Sequence, residues 1–163
     1  MHSAEESPES EQAKKVLFVC TANICRSPMA EVIFNALAKE KGLPFRAQSA
    51  GTAALESNPM APNAVAVLGE VGICPEIHRA RQVDEAMLEE SELVLAMSPR
   101  HVAALGRLYE NPSGKIYTLR EYATGKPDRE GIPDPYGHTM AAYRSSVRQL
   151  YEYVERTIKK LDG

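Results

Sequence analysis

The feature that most constrains the fold of this chain is an apolar run, Val16 to Val19, that leads directly into the nine residues CTANICRSP at positions 20–28. The run predicts a buried strand, and Ser27 with Pro28 predicts a helix start, with Ser27 as N-cap and Pro28 in the first turn. A strand that passes so quickly into a helix leaves backbone N–H groups free to surround an anion. The sequence therefore predicts an anion-binding loop between the strand and the helix.

Two side chains of this loop indicate its chemistry. Cys20 stands at the strand end, and a helix N-terminus or a neighbouring cation favours the nucleophilic thiolate form of cysteine. Arg26 has a rigid fork of donors that can hold two oxygens of a phosphoryl group, which the point charge of lysine cannot do. We therefore expect Cys20 to attack phosphorus while Arg26 binds the phosphoryl oxygens, with no metal and no cofactor.

The segment VCTANICRSPMAE resembles the low-molecular-weight protein tyrosine phosphatases, with some features of the bacterial branch that dephosphorylates phosphoarginine. The resemblance covers nearly all of residues 15–161, because four further segments follow in the family's order. These segments are SAGT at 49–52, HRARQ at 78–82, LVLAM at 93–97 and DPYG at 134–137. The resemblance implies a cysteine-dependent protein phosphatase whose phosphate-binding loop consists of Thr21, Ala22, Asn23, Ile24, Cys25, Arg26 and Ser27.

The resemblance also implies roles around this loop. Asn23, which tolerates left-handed backbone geometry, is expected to support the loop together with Ser27, Ser49 and His78. The hydroxyl of Ser27 is expected to stabilise the Cys20 thiolate as well as to cap the helix. The expected walls of the substrate pocket are Ile24, Leu55 and Tyr136. Cys25 is expected to be a redox partner that protects the nucleophile by forming a reversible disulfide.

Residues 120–137 contain several glycines and prolines and lack periodicity, which predicts a long functional loop. The chemistry needs an acid there, because the leaving oxygen must be protonated when the thiolate attacks phosphorus. The resemblance assigns this role to Asp134 of the Asp-Pro pair, which would then act as general base in the second step. Asp-Pro could instead only initiate a turn, and Asp128 is the local competitor for the acid role.

Apolar strand-like runs alternate with helical patterns along residues 14–163, which predicts an α/β fold: one domain with a doubly wound sheet of four parallel strands and helices on both faces. The expected strands are 16–19, 45–49, 93–97 and 115–119. The expected helices begin near Pro28, Pro62, Val83, Pro99 and Thr139. Residues 1–13 are acidic and without an apolar stretch, and we expect them to form a disordered tail rather than a signal peptide.

Composition limits the remaining classes of function. A net charge of −3 gives no general attraction to nucleic acid, and no apolar run approaches membrane-spanning length. Three cysteines, an odd number, suggest the cytoplasm. The four histidines are scattered without metal-ligand spacing. The expected partners are a phosphorylated protein or peptide as substrate and inorganic phosphate as product and inhibitor, and the expected state is a monomer.

Substrate identity is the main open question. The phosphoarginine branch commonly has threonine at the position of Ile24, and isoleucine offers apolar surface that suits an aromatic ring. The sequence therefore favours phosphotyrosine, with phosphoarginine as the alternative. An arsenate reductase is less expected, since residues 91–101 lack the two further cysteines that relay its oxidation. A non-hydrolytic phosphate-binding or interaction module is also less expected, because Arg26 and Asp134 suit hydrolysis.

Overall fold

This computed structural model describes residues 13–109 and 114–163. Within them, four parallel strands form one sheet in the order β2-β1-β3-β4. The strands are β1 (Lys14–Cys20), β2 (Phe45–Gly51), β3 (Ser91–Ala96) and β4 (Ile116–Thr118). The prediction of a doubly wound α/β sheet of four parallel strands is confirmed. The predicted tail lies outside the described residues, apart from its last residue.

Six helices accompany the strands in the described ranges. They are α1 (Arg26–Glu40), α2 (Pro62–Glu70), α3 (Glu85–Glu90), α4 (Pro99–Leu108), α5 (Leu119–Thr124) and α6 (Met140–Asp162). Helix α1 ends where Gly42 adopts a left-handed backbone (φ 66°), which lets Leu43 N–H return to Ala38 O.

The sheet has an apolar core on each face, because successive strand residues point in opposite directions. Val16 and Phe18 of β1 join the larger core, and Leu17 and Val19 join the smaller one. Helices α1, α2 and α6 cover the larger core, while α3 and α4 cover the smaller one. Helices therefore lie on both faces, as predicted.

The register of the sheet brings several loops to one edge. Cys20 pairs with Gly51 of β2, and Val19 pairs with Ala96 of β3. The chain passes from β1 to β2 on one side and later reaches β3 on the other, so the carboxyl end of β1 is the point where the strand order reverses. Ligands of doubly wound sheets bind in the crevice at that point.

Two local predictions were wrong. The loop expected at 120–137 begins inside a short helix, α5, whose N-cap Thr118 accepts a hydrogen bond from Glu121 N–H at 3.0 Å. Helix α1 starts at Arg26 rather than Pro28, so its N-cap is Cys25 and not Ser27. Ser27 lies within the first turn, which leaves its hydroxyl free to serve the neighbouring loop.

Candidate active site

The loop between β1 and α1 has unpaired backbone donors. Within 13–109 and 114–163, no residue accepts a hydrogen bond from the N–H groups of residues 22–25. The first N–H groups of α1 add to this set, since a helix N-terminus lacks intrahelical acceptors for them. Asn23 adopts a left-handed backbone (φ 61°), which turns the chain within the loop. Such a series of N–H groups can bind an anion.

Cys20 and Ser27 meet beneath this loop. Cys20 Sγ lies 2.9 Å from Ser27 Oγ, and both residues are buried. Asn23 Nδ2 donates to Ser27 Oγ at 2.8 Å, so the hydroxyl accepts there and its own proton can go to the sulfur. Such a hydrogen bond stabilises a thiolate more than a thiol.

The side chain of Asn23 is oriented by its partners. Its Oδ1 accepts from the backbone N–H of Arg81 at 3.0 Å, which directs Nδ2 toward Ser27 and toward Ser49, 3.0 Å away. His78 Nε2 lies 2.7 Å from the backbone carbonyl of Asn23. The other predicted supporting residues therefore all contact Asn23. Ser27 and Ser49 contact its side-chain amide, and His78 contacts its backbone carbonyl.

Arg26 links this loop to the loop that carries Asp134. Its guanidinium is almost fully buried, and Nη1 donates to Ile132 O at 3.1 Å. Nη2 lies 3.5 Å from Asp134 Oδ2. Asp134 itself is half-exposed, and its Oδ1 accepts from Tyr136 N–H at 3.1 Å. A thiol, a guanidinium and a carboxyl group thus gather at the carboxyl end of β1.

Asp128, the competing carboxylate, has a different environment. Its Oδ1 accepts from Gly131 N–H at 2.9 Å and lies 3.6 Å from Arg120 Nη1. Oδ2 is buried without a hydrogen-bond partner in the described part of the chain. These contacts shape the loop before Asp134 and include no residue of the cysteine loop.

The expected pocket walls lie around the loop without closing it. Ile24 is half-buried against the larger core, and Leu55 and Tyr136 are exposed. The segment leading to Leu55 runs beside the cysteine loop, because Ala53 N–H donates to Thr21 O at 2.9 Å. Gly51 permits this approach, since a Cβ there would lie 2.3 Å from the same oxygen.

Cys25, the predicted redox partner, is a buried free thiol whose Sγ lies 3.4 Å from Tyr143 Oη. Burial raises the pKa of the Cys25 thiol to about 11. Burial also raises the pKa of Tyr143. Cys25 is therefore a neutral thiol at physiological pH, and its redox role stays a prediction.

His101, a residue at this edge, was missed by the sequence reasoning. His101 is buried in the first turn of α4, with Nε2 2.8 Å from Thr21 Oγ1 and Nδ1 2.9 Å from Ser98 Oγ. Burial, with the guanidinium groups of Arg26 and Arg100 nearby, lowers the pKa of His101 to about 4. The only available signal was the Ser-Pro helix start at the end of β3, which brings the first turn of α4 to this edge.

Glu31 and Arg81 were also missed. Ser49 Oγ donates to Glu31 Oε1 at 2.6 Å, and Arg81 Nε donates to Ser49 O at 3.0 Å. Because the Ser49 proton goes to Glu31, the hydroxyl oxygen accepts from Asn23. The carboxylate thus ends a hydrogen-bond chain that begins at Cys20.

The described ranges contain no group of three or more His, Cys, Asp or Glu side chains arranged to hold a metal ion. In the same ranges, no helix combines the length and the apolar character needed to span a membrane.

Comparison with known proteins gives consistent matches. The family model described as low molecular weight phosphotyrosine protein phosphatase matches residues 15–162. The chain is 34% identical to a protein-arginine-phosphatase of Bacillus subtilis, covering 90% of this chain and 95% of that protein. It is 40% identical to a low molecular weight protein-tyrosine-phosphatase of Streptomyces coelicolor, covering 75% and 77%. The crystal structure of a low molecular weight protein tyrosine phosphatase from T. tengcongensis superposes with a TM-score of 0.85 at 40% identity, covering 91% and 99%.

Proposed function

This chain belongs to the low molecular weight phosphotyrosine protein phosphatase family, and on that premise we propose that it hydrolyses phosphotyrosine in proteins through a phosphocysteine intermediate. The observation that carries the proposal is that Cys20 begins and Arg26 ends one loop of unpaired N–H groups, and that Arg26 is paired with Asp134. These three residues are the nucleophile, the phosphoryl clamp and the proton donor that the reaction requires.

In the first step, Cys20 Sγ forms a bond to phosphorus as the bond from phosphorus to the tyrosine oxygen breaks. The Ser27 hydroxyl stabilises the thiolate before attack. Arg26 and the loop N–H groups hold the phosphoryl oxygens, whose charge must be stabilised as the group transfers. Asp134 in its protonated form gives its proton to the departing phenolate oxygen.

In the second step, the same carboxylate takes a proton from water while that water attacks the phosphocysteine. The bond between phosphorus and sulfur breaks, and inorganic phosphate and the Cys20 thiolate are released. Asp134 ends the cycle protonated and ready for another substrate. Arg26 Nη1 donates a hydrogen bond to Ile132 O in the loop that carries Asp134. The phosphate-binding guanidinium and the acid therefore stay close to each other through both steps.

Ile24 supports the preference for phosphotyrosine. Its side chain is half-buried against the core and supplies apolar surface beside the loop, which suits the ring of phosphotyrosine. The alternative is a protein arginine phosphatase with the same mechanism, which the similarity to the Bacillus subtilis protein favours. A polar, guanidinium-linked phosphate gains less from an isoleucine than from a hydroxyl at this position.

The test measures kcat/KM on two peptides that differ only in carrying phosphotyrosine or phosphoarginine, in the presence of EDTA. We expect phosphotyrosine to be favoured by about tenfold to a hundredfold and Cys20→Ser to abolish turnover. Ile24→Thr is the matched variant, and it should lower this ratio. A preference of the wild type for phosphoarginine would select the alternative function while keeping the mechanism.

A further inference from the structure

His101 connects two strand ends beneath the candidate site. It lies in the first turn of α4, only 5% exposed, and both ring nitrogens have hydroxyl partners. Thr21, the partner of Nε2, directly follows the nucleophile and is exposed. Ser98, the partner of Nδ1, is the buried N-cap of α4 at the end of β3.

The directions of these two hydrogen bonds follow from burial. Ser98 Oγ makes no capping hydrogen bond, and in the described part of the chain its one hydrogen-bond partner is the imidazole. If Nδ1–H were the donor, the buried Ser98 hydroxyl proton would have no acceptor, which is unfavourable. Ser98 therefore donates to Nδ1, and Nε2–H donates to Thr21 Oγ1.

We propose that His101 is a positioning residue for the phosphatase reaction, which holds Thr21 Oγ1 as an acceptor so that the Thr21 hydroxyl proton is donated to the bound phosphorylated substrate. The proposal rests on the proposed function of this site. With one lone pair engaged by Nε2–H, the Thr21 hydroxyl keeps its own proton to donate, and Thr21 is exposed at the start of the loop.

The charges around His101 keep the ring in the neutral form that this arrangement needs. Burial and the guanidinium groups of Arg26 in α1 and Arg100 in α4 lower the pKa of His101 and so oppose a second ring proton. The carboxylate of Asp134 has a weaker effect in the opposite direction. A doubly protonated ring would make Ser98 an acceptor and leave its buried proton without a partner. The neutral ring therefore keeps both hydrogen bonds, the one from Ser98 and the one to Thr21.

Ser98 extends the connection to the loop that carries Asp134. A Cβ at Gly131 would lie 2.5 Å from the Ser98 Cβ, and Ile132 N–H donates to Met97 O at 2.8 Å. His101 thus spans the start of the cysteine loop and the strand end on which the Asp134 loop is packed.

Three substitutions of His101 separate its two contacts. In His101→Gln the side-chain amide reaches about as far as Nε2, so it can still donate to Thr21. In His101→Asn the amide reaches about as far as Nδ1, so it keeps Ser98 alone. His101→Leu removes both contacts at similar volume.

We expect kcat/KM for the phosphotyrosine peptide to fall about 5- to 10-fold in His101→Leu and His101→Asn, as for one lost hydrogen bond, and clearly less in His101→Gln. In a Thr21→Val background, His101→Leu should cause no further loss, because the two residues act as one unit. If the loss of activity in each variant followed its loss of melting temperature, and not its loss of the Thr21 contact, the proposal would be overturned. A wild-type value for His101→Leu would also overturn it, while Cys20→Ser would still report on the proposed function.

Two readouts do not depend on turnover. The Kd of inorganic phosphate should rise more in His101→Asn and His101→Leu than in His101→Gln, and equal values in all variants would contradict the role of Thr21. Nitrogen-15 NMR of the histidine rings should show the Nε2–H tautomer of His101 at pH 6. An Nδ1–H tautomer or an imidazolium there would refute the assigned direction of the hydrogen bonds.

Discussion

At the scale of single residues, Asn23 shows how backbone and side chain together shape the loop. Its left-handed backbone turns the chain, while its amide is held by Arg81 N–H and holds Ser27 and Ser49. An alanine at this position would strain the backbone and leave two buried hydroxyls with fewer partners. The geometry at Cys20 therefore depends on a residue that takes no part in bond making.

Asp134→Asn tests the acid role directly. An amide cannot protonate the leaving oxygen, so we expect kcat/KM to fall about 10²- to 10⁴-fold for the phosphotyrosine peptide. The loss should be much smaller for p-nitrophenyl phosphate, whose leaving group needs little protonation. The measurement is the ratio of the two losses in single-turnover kinetics.

Asp128→Asn is the matched control for this prediction. Asp128 holds the N–H of Gly131 and neighbours Arg120, so its substitution should disturb the loop and affect both substrates alike. A leaving-group dependence that appeared in Asp128→Asn and not in Asp134→Asn would mean that Asp128, and not Asp134, is the acid.

The residues that could be predicted without the family resemblance are those whose role is local. Cys20, Asn23, Arg26 and Ser27 lie within eight positions, so a strand and a helix start suffice to bring them together. His101 lies 80 positions from Thr21, and their contact requires β3 to lie beside β1. No periodicity encodes that neighbourhood, and a lone histidine carries no signal of its own.

At the scale of elements, the strands and long helices follow from periodicity, whereas α5 does not. Six residues complete fewer than two turns, too few for an apolar stripe to repeat. A signal was nevertheless available, because Thr118 and Glu121 have the spacing of a capping box, and Thr118 Oγ1 does accept from Glu121 N–H. The predicted start of α1 was wrong because the Ser27 hydroxyl contacts Cys20 and Asn23 of the loop and does not cap the helix.

The loop that carries Asp134 is held to the sheet at Gly131. Its φ is +77°, and a Cβ there would lie 2.4 Å from Met97 O. Gly131→Ala should lower the free energy of unfolding by about 2 kcal/mol or more, from the left-handed backbone and the clash together. Because Ile132 O anchors Arg26, kcat should fall as well. Urea denaturation and steady-state kinetics measure the two effects.

Gly137→Ala isolates the backbone contribution to this loss. Gly137 has φ +80°, but a Cβ there would have no atom within 4 Å. Its substitution should cost only about 1 kcal/mol. Equal losses of stability in the two variants would mean that packing against Met97 and Ser98 does not hold the loop.

At the scale of the whole molecule, the strand order determines which loops share an edge. With β1 between β2 and β3, the end of the nucleophile strand borders Gly51 on one side and Met97 on the other. The two apolar cores fix this sheet from both faces, so the site loops start from rigid strand ends. The alternation of strands and helices predicted the fold class, while the partner of each loop depended on the order of strands in the sheet.

The buried imidazole of His101 couples the stability of the whole fold to pH. Its pKa is lowered from about 6.5 in the unfolded chain to about 4 in the folded chain, so between these values the unfolded chain binds more protons. The stability contributed by this group is complete above pH 6.5 and is lost as pH falls toward 4. The free energy of unfolding should therefore fall by about 2 kcal/mol between pH 7 and pH 5 on account of His101 alone.

His101→Gln separates this effect from the titration of carboxylates, because it removes the ionisable ring and leaves the other groups in place. Urea unfolding at pH 5, 6 and 7 should give a steeper loss of stability for the wild type than for the variant, whatever the constant offset between them. Parallel curves would mean that His101 binds a proton as readily in the folded chain as in the unfolded one. A steeper curve for the wild type would show that the fold excludes a positive charge beside Arg26, as the hydrogen bonds of Thr21 and Ser98 to a neutral ring require.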